Sequence, residues 1–507
     1  MAQVFPHLHI VLLADDFGEG LWPLARRQAP ACLVPAGEGA DSLLSAAVAR
    51  TRPFSGYPVH VVTTKALADS LYDELVTFAG LKPADIDMIV VPLEQGSAFS
   101  VALACSCIRR QDPDAVVMVL AANQKLELDD RWPNLVFCAY QVALRDRIVL
   151  FGAQQERRCA GVSYIRCGGQ FENVEGTYEV RLFATDARPA AAERAIRDGA
   201  LWYTDMFMGR AASILGAYAH AEDDEGGTGG VGRIAETTAF LALLQRSAWY
   251  TDDARSLIAV LPNLTVEKAA LEPSRRLVAL PVTAQVTVIS SLADLDNATP
   301  ADDEGNRAAG KAVTLDTSNT TVLSQGTGRL VCTYGVEGLA IVDTADTLLV
   351  ARKTALRDMG PLFEALGKAG APQLDSSVRR PFPWGVATLL AHGPKSATFQ
   401  LDVRAGAVLD TLCLADAYGC FVPDVEDGAE GARQDAHVPV REQYAVACGR
   451  VGIRDAGTDK DPLPMEAGDA FEVDEQGPLA IVCDGQEPAV LILTVVACQD
   501  SACPDAG

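Results

Sequence analysis

The stretch LLADDFGEGLWPLARRQAPACLVP, residues 12–35, continues an apolar run (HIVLLA, residues 9–14) through a glycine-bearing loop into LWPLARRQAP, whose texture predicts the start of a helix. A strand, a glycine loop and a helix in that order hold phosphate in many proteins. The loop lets backbone N–H groups approach the anion, and the helix adds its positive end. This loop, however, carries Asp15, Asp16 and Glu19 around Gly18. Three carboxylates stand where a polyanion would sit, so the stretch reads as a nucleotide loop in shape and as its opposite in charge.

Working outward, residues from about 8 to 260 alternate short apolar strands (HIVLLA, VHVVTT, DMIVVPL, AVVMVLAA, RIVLFGA) with segments of helical spacing such as SLLSAAVART and SVALACSCIRR. That alternation predicts βαβ units and a largely parallel sheet, with the binding crevice beyond the carboxyl ends of the strands. The acidic, then glycine-rich AHAEDDEGGTGGVGRIAE (219–236) reads as a solvated loop, because no apolar strand leads into it and no Gly-Lys-Ser/Thr follows. A second acidic loop, LADLDNATPADDEGNRAAGK (292–311), precedes short β-branched runs between Lys311 and Lys353 that predict stacked strands. After a helical linker near MGPLFEALGKAG, residues 378–499 are β-rich again and predict a barrel or sandwich.

The bulk numbers narrow the partners. Over 507 residues, Lys+Arg total 42 against Asp+Glu 67, a formal charge of -25 that repels nucleic acid and anionic membranes but leaves room for a small anion in a local pocket. The 13 cysteines follow no regular spacing and read as buried reduced thiols of a cytoplasmic protein. No basic segment followed by an apolar core opens the chain, and the best apolar run, AVLILTVVAC (489–498), suits a buried strand rather than a membrane span.

Together, FGEGLWPLARRQAP, then LDTSNTTVLSQGTGRLVCTYGVEGLAIVDTADTLLVARK, then RRPFPWGVA resemble the bifunctional mannose-1-phosphate guanylyltransferase/mannose-6-phosphate isomerase family over nearly the whole chain. The resemblance implies an α/β fold in three parts. These are a Rossmann-like nucleotidyltransferase (GT-A-like) domain at residues 8–295, a short left-handed β-helix-like segment at 311–355 and a cupin-like β-barrel at 378–499.

Motif by motif, the resemblance also implies that the chemistry has been replaced. The family loop reads G-G-x-G-x-R-L-x-P-L and then P-K. Here Asp15 and Asp16 take the leading glycines, Gly18 is kept, Gly20 takes the Arg position and Ala31 the Lys position. Two like charges about 4 Å apart cost about 1–4 kcal/mol, so a triphosphate would be opposed several times over. The metal-holding Asp of P-A-D-H becomes Asn123, followed by Gln124, and the second metal Asp falls at Val288. In the sugar motifs E-T-G-Y-G-Y, E-K-P and W-N-S-G-M-F, the matching positions include Gly161, Tyr164, Asp186 in place of a phosphate-binding Lys, Trp202 and Tyr203. The cupin ligand cluster is reduced to His437 and Glu442, with Gln443 at a third ligand position and the later histidine falling near Pro478. His7 and His9, which straddle the first strand, read as structural.

Two expectations follow. The first is a catalytically degenerate paralogue kept for binding, regulation or assembly in sugar-nucleotide metabolism, needing no cofactor. It would take a sugar nucleotide or sugar phosphate, or associate with itself or with an active paralogue. The alternative is a divergent but active sugar-1-phosphate nucleotidyltransferase in which Asp15, Asp16 and Glu19 bind Mg2+ and Arg26 and Arg27 supply cations.

Overall fold

A computed structural model describes residues 3–497 apart from 28, 36–40, 94, 128, 155–162, 173, 186–188, 221–230, 284, 325–328, 376, 383, 394–395, 412–439, 456–457, 459–460, 474–478 and 484–486. The chain divides into two compact units, Met1–Ala369 and Gly370–Gly507.

The first unit is built on a nine-stranded mixed sheet. Its spatial order is Ile86–Val91, Val59–Thr64, Leu8–Leu13, Val116–Ala121, Leu201–Arg210, Ile148–Ala153, Leu277–Val282, Tyr178–Ala184 and Tyr164–Gln170. All five apolar runs read from the sequence are strands, and the first four lie parallel. Leu201–Arg210 intrudes antiparallel between Val116–Ala121 and Ile148–Ala153, so the sheet is less uniformly parallel than alternation alone predicts. Period-two alternation sends Val116, Met118 and Leu120 into one buried cluster and Val117 and Val119 into another. A sheet covered on both faces needs such near-continuous apolar runs.

Helix Leu43–Thr51 starts at Ser42, whose Oγ accepts from the Ser45 N–H at 3.1 Å. Helix Ser97–Gln111 buries eleven consecutive residues, Ala98–Ile108, against the sheet.

The first loop departs from expectation. LWPLARRQAP is not a helix: after Leu13 come a 3₁₀ turn at Glu19–Leu21, a bridge between Arg26 and Ala29, and a second 3₁₀ turn at Ala31–Leu33, with the first α-helix only at Leu43. Pro23 and Pro30 lack the N–H groups a helix needs there, and Leu21, Trp22 and Ala25 are drawn into the core. The helix whose amino-terminus borders this loop is instead Ser97–Gln111, supplied from elsewhere in the chain. The second acidic stretch is also more ordered than a loop: Leu292–Ala298 is a helix capped by Ser291, and Arg307–Ala309 is already a strand. Of the glycine-rich stretch, residues 221–230 lie outside the described residues, whereas Val231–Leu243 is a helix.

Next come parallel rungs: Arg307–Ala309, Thr321–Ser324 and Leu339–Asp343 on one face, Ala312–Leu315 and Val331–Tyr334 on another. Corners turn at Asp316 and Asn319 and at Gly335 and Gly338, all with positive φ. The expected helical linker is Gly360–Lys368.

The second unit is the cupin-like part. Six- and four-stranded sheets face one another across a core of Phe399, Leu401, Tyr444, Val451, Ile481 and Leu493. Among the described residues no helix is long and apolar enough to cross a membrane. The cysteines are not uniformly buried, since Cys332 and Cys448 are exposed.

Candidate functional site

The loop that follows the first strand is held at the carboxyl end of the parallel strands: Ala14 donates its N–H to Val62 O at 2.9 Å, and Thr63 Oγ donates back to Ala14 O at 2.9 Å. Beside it lies a cavity of about 370 Å³ lined by Asp15, Asp16, Phe17, Thr64, Val91, Gln95, Gly96, Ser97 and Asn263. Among the described residues no lysine or arginine lines it.

The two aspartates are separately engaged. Asp15 accepts from Ser100 Oγ at 3.0 Å, and burial pushes its carboxyl above the usual carboxylate range. Asp16 folds back on its own loop: Oδ1 accepts the Gly18 N–H at 2.9 Å and Oδ2 accepts from Asn123 Nδ2 at 3.0 Å. The backbone donor that would meet a phosphate already meets a carboxylate. Glu19 is exposed.

The positions of the lost cations are closed as well as empty of charge. A Cβ on Gly20 would stand 2.5 Å from Ser290 O, and one on Gly18, whose φ is 66°, would stand 2.7 Å from Ala31 Cβ. Ala31 itself is fully buried. Arg26, which the alternative reading above made a supplier of positive charge to the site, is 4% exposed and forms a fork on Asp346, at 2.6 Å from Nη1 and 2.5 Å from Nη2. It also donates to Pro23 O at 3.3 Å. Its charge is committed to the β-helical segment, and Arg27 is exposed on the surface.

Asn123 and Val288, the positions matched above to the family's metal acids, lie on neighbouring segments. Strand Gln285–Val288 pairs antiparallel with Gln124–Glu127, which sets Val288 opposite Gln124, and Ile289 donates its N–H to Asn123 O at 3.0 Å. What they bring is a hydrocarbon and an amide already donating to Asp16. That pair does not fit a hard divalent cation, and among the described residues no three His, Cys, Asp or Glu side chains form a metal-holding group.

Tyr164 and Trp202 are neighbours across adjacent strands, and Tyr203 stacks edge-on with Phe183 at 4.9 Å. All three are buried, and Trp202 Nε1 and Tyr203 OH have no hydrogen-bond partner among the described residues. Gly161 and Asp186 lie outside the described residues. Of the cupin candidates, His437 and Pro478 also lie outside them. Glu442 points into the barrel core, where Tyr444 OH donates to it at 2.7 Å, while Gln443 faces the other side of the strand and is exposed. Adjacent strand residues point to opposite faces, so Gln443 does not stand beside Glu442 in the core.

Four polar residues were not singled out from the sequence: Gln95, which lines the cavity, Ser100, which donates to Asp15, and Asp205 and Glu267, whose charges interact. Asp205 takes the glycine of W-N-S-G-M-F and keeps a glycine-like φ of 52°, beside the carboxyl end of Val116–Ala121. Burial first, and the negative charge of Glu267 second, raise its carboxyl to about 7. An acid in a glycine position was the available signal. Ser100 and Gln95 carried none, because only folding brings them to the loop.

Residues 310–360 match the MannoseP isomerase/GMP-like beta-helix domain. The alginate biosynthesis protein AlgA of Pseudomonas putida is 25% identical over 403 residues, covering 79% of this chain and 80% of its own. The xanthan biosynthesis protein XanB of Xanthomonas campestris is 24% identical over 419 residues, covering 81% and 83%. A mannose-1-phosphate guanylyltransferase of Klebsiella pneumoniae is 24% identical over 405 residues, covering 78% and 82%. Among solved structures, mannose-1-phosphate geranyltransferase from Thermus thermophilus superposes with a TM-score of 0.60 at 20% identity, over 71% of this chain and all of the other, which supports the fold.

Proposed function

We propose, for a chain that resembles the mannose-1-phosphate guanylyltransferase/mannose-6-phosphate isomerase family in sequence and fold, a non-catalytic role in sugar-nucleotide metabolism. The scaffold is kept for binding or assembly and nucleotide transfer is lost. One observation carries this reading: Asp16 occupies the Gly18 N–H that a phosphate would use, at 2.9 Å. A nucleotide would have to displace a carboxylate that is covalently part of the loop, and would then sit against it in a cavity whose described lining holds no lysine or arginine.

Supporting it, the Arg and Lys positions are Gly20 and Ala31, both enclosed by neighbouring atoms, and the two metal positions hold Asn123 and Val288. Among the described residues no three His, Cys, Asp or Glu side chains gather to hold the Mg2+ that a transfer step would need. On this reading the chain binds a sugar nucleotide or sugar phosphate without turning it over, or associates with an active relative.

The test is direct. Purified protein is incubated with GTP, mannose 1-phosphate and Mg2+, and pyrophosphate is measured against an active guanylyltransferase. Release below one-thousandth of that enzyme's rate is expected; release at a comparable rate overturns the proposal and favours a rebuilt active site.

A further inference from the structure

At the amino-terminal ends of the strands, away from the crevice, six side chains form one polar line. Asp112, just after helix Ser97–Gln111, contacts His7 Nδ1 at 2.8 Å and His9 Nε2 at 3.2 Å. His9 Nδ1 faces His60 Nε2 at 3.0 Å, and His60 Nδ1 faces Asp87 Oδ2 at 2.8 Å. Asp87 Oδ1 in turn holds Arg246 Nη2 at 2.7 Å. His9, His60 and Asp87 lie on three adjacent strands, and the Tyr57 ring covers His9 with centroids 3.9 Å apart. Both imidazoles are buried.

Counting hydrogens decides the charge. The outer nitrogens, His9 Nε2 and His60 Nδ1, each face a carboxylate oxygen and so each carries a hydrogen. The inner nitrogens face one another. With no hydrogen between them, two lone pairs collide; with one on each, two N–H groups collide. A single hydrogen satisfies the 3.0 Å contact. Three hydrogens on two imidazoles amount to one positive charge, held between the carboxylates of Asp112 and Asp87.

We propose that His9 and His60 share one proton and form a proton-gated staple across the three strands that carry the crevice. The same strands end in the cavity lining: Asp15 and Asp16 follow the first, Thr64 ends the second and Val91 ends the third. Adding a proton to the pair, or removing the shared one, breaks the inner contact and loosens the strands' register at that end. The groups that face the pair are His7, Tyr57, Asp87, Asp112 and Arg246; Cys107, Arg110, Tyr140 and Arg210 lie further along the same electrostatic neighbourhood.

The low-pH limb has a definite sign. Burial is the main reason His9 is held down at about 4, with the hydrogen bond to Asp112 pulling the other way. Between about pH 6.5 and 4 the unfolded chain takes a proton at this position that the folded chain refuses, so stability is lost as pH falls through that window.

The test uses full-length protein with 15N-labelled histidine, His9→Gln and His60→Gln serving to assign the ring signals. Two separate proton steps for the pair are expected, one on each side of the ordinary imidazole value of about 6.5. A single common step near that value, or two rings neutral at pH 7, overturns the proposal. In parallel, thermal midpoints are recorded at pH 7 and pH 4.5 for wild type, His9→Gln and Asp87→Asn. His9→Gln is expected to lose less of its midpoint on acidification than wild type does. Equal losses in the two proteins would sink the staple. If His9→Gln does not fold, Asp87→Asn keeps the question open to decision, because removing that carboxylate must move the upper proton step of the pair to lower pH.

Discussion

Gly20 shows at the residue scale why the loop cannot be repaired by one substitution. Its missing side chain is space already taken by the Ser290 carbonyl oxygen, 2.5 Å from where a Cβ would lie. Because that neighbour is backbone, it cannot swing aside. Gly20→Arg, which restores the family's cation, is expected to destabilise the protein by about 1–3 kcal/mol through overpacking and to produce no pyrophosphate-releasing activity. Urea midpoints of the variant and wild type check the first part and the pyrophosphate assay the second. An unchanged midpoint would mean that the Ser290 segment is free to move. Residue identities made the loss of cations legible in the sequence, since Gly20 and Ala31 stand at fixed offsets from LWPL. They said nothing of closure, because Ser290 is 270 positions away along the chain.

At the scale of elements, the loop after the first strand is anchored by a side chain that local pattern misplaced. Helical texture put Arg26 on an exposed helix; the prolines at 23 and 30 prevent that helix, and the guanidinium reaches Asp346 between β-helical rungs. Asp346 is 9% exposed in its side chain, so the pair is largely shielded from water. Arg26→Met leaves that carboxylate without its fork and is expected to cost about 3–5 kcal/mol. Combining it with Asp346→Leu should cost clearly less than the sum of the single changes, a coupling readable from a double-mutant cycle in denaturant. Additive losses would show that the pair does not tie the loop to the rungs. The expected strands held where apolar runs were long and both faces were buried. The loop did not, because its course is set by partners some 320 residues distant.

Across the whole molecule, with its charge of -25, local burial and an acidic neighbour decide which carboxyl resists ionisation. Asp205 is the clearest case, its carboxyl raised to about 7 by burial and by Glu267. The folded chain therefore keeps a proton there that the unfolded chain releases near pH 4, and stability falls as pH rises from about 4 to 7. Asp205→Asn removes the titrating group and retains a residue that tolerates the φ of 52°. It is expected to stabilise the protein by roughly 1–3 kcal/mol at pH 8 and to be near neutral at pH 4. Denaturation midpoints at the two pH values check this, and an equal effect at both would show that Asp205 is ionised throughout.

The sequence by itself determined five of the nine strands of the first sheet, the succession of an α/β part, stacked short strands and a β-rich part, and the sign of charge in the first loop. Each follows from local pattern: apolar period two, turn residues, and the identity of side chains at set spacings. Tertiary structure alone decided that Asp16 turns onto the Gly18 N–H, that Val288 lies opposite Gln124, that Arg26 is buried on Asp346, and that His9 meets His60. Those contacts join residues from two to about 320 positions apart. Their geometry depends on strand order and on how a proline-interrupted loop is packed, neither of which a local pattern encodes.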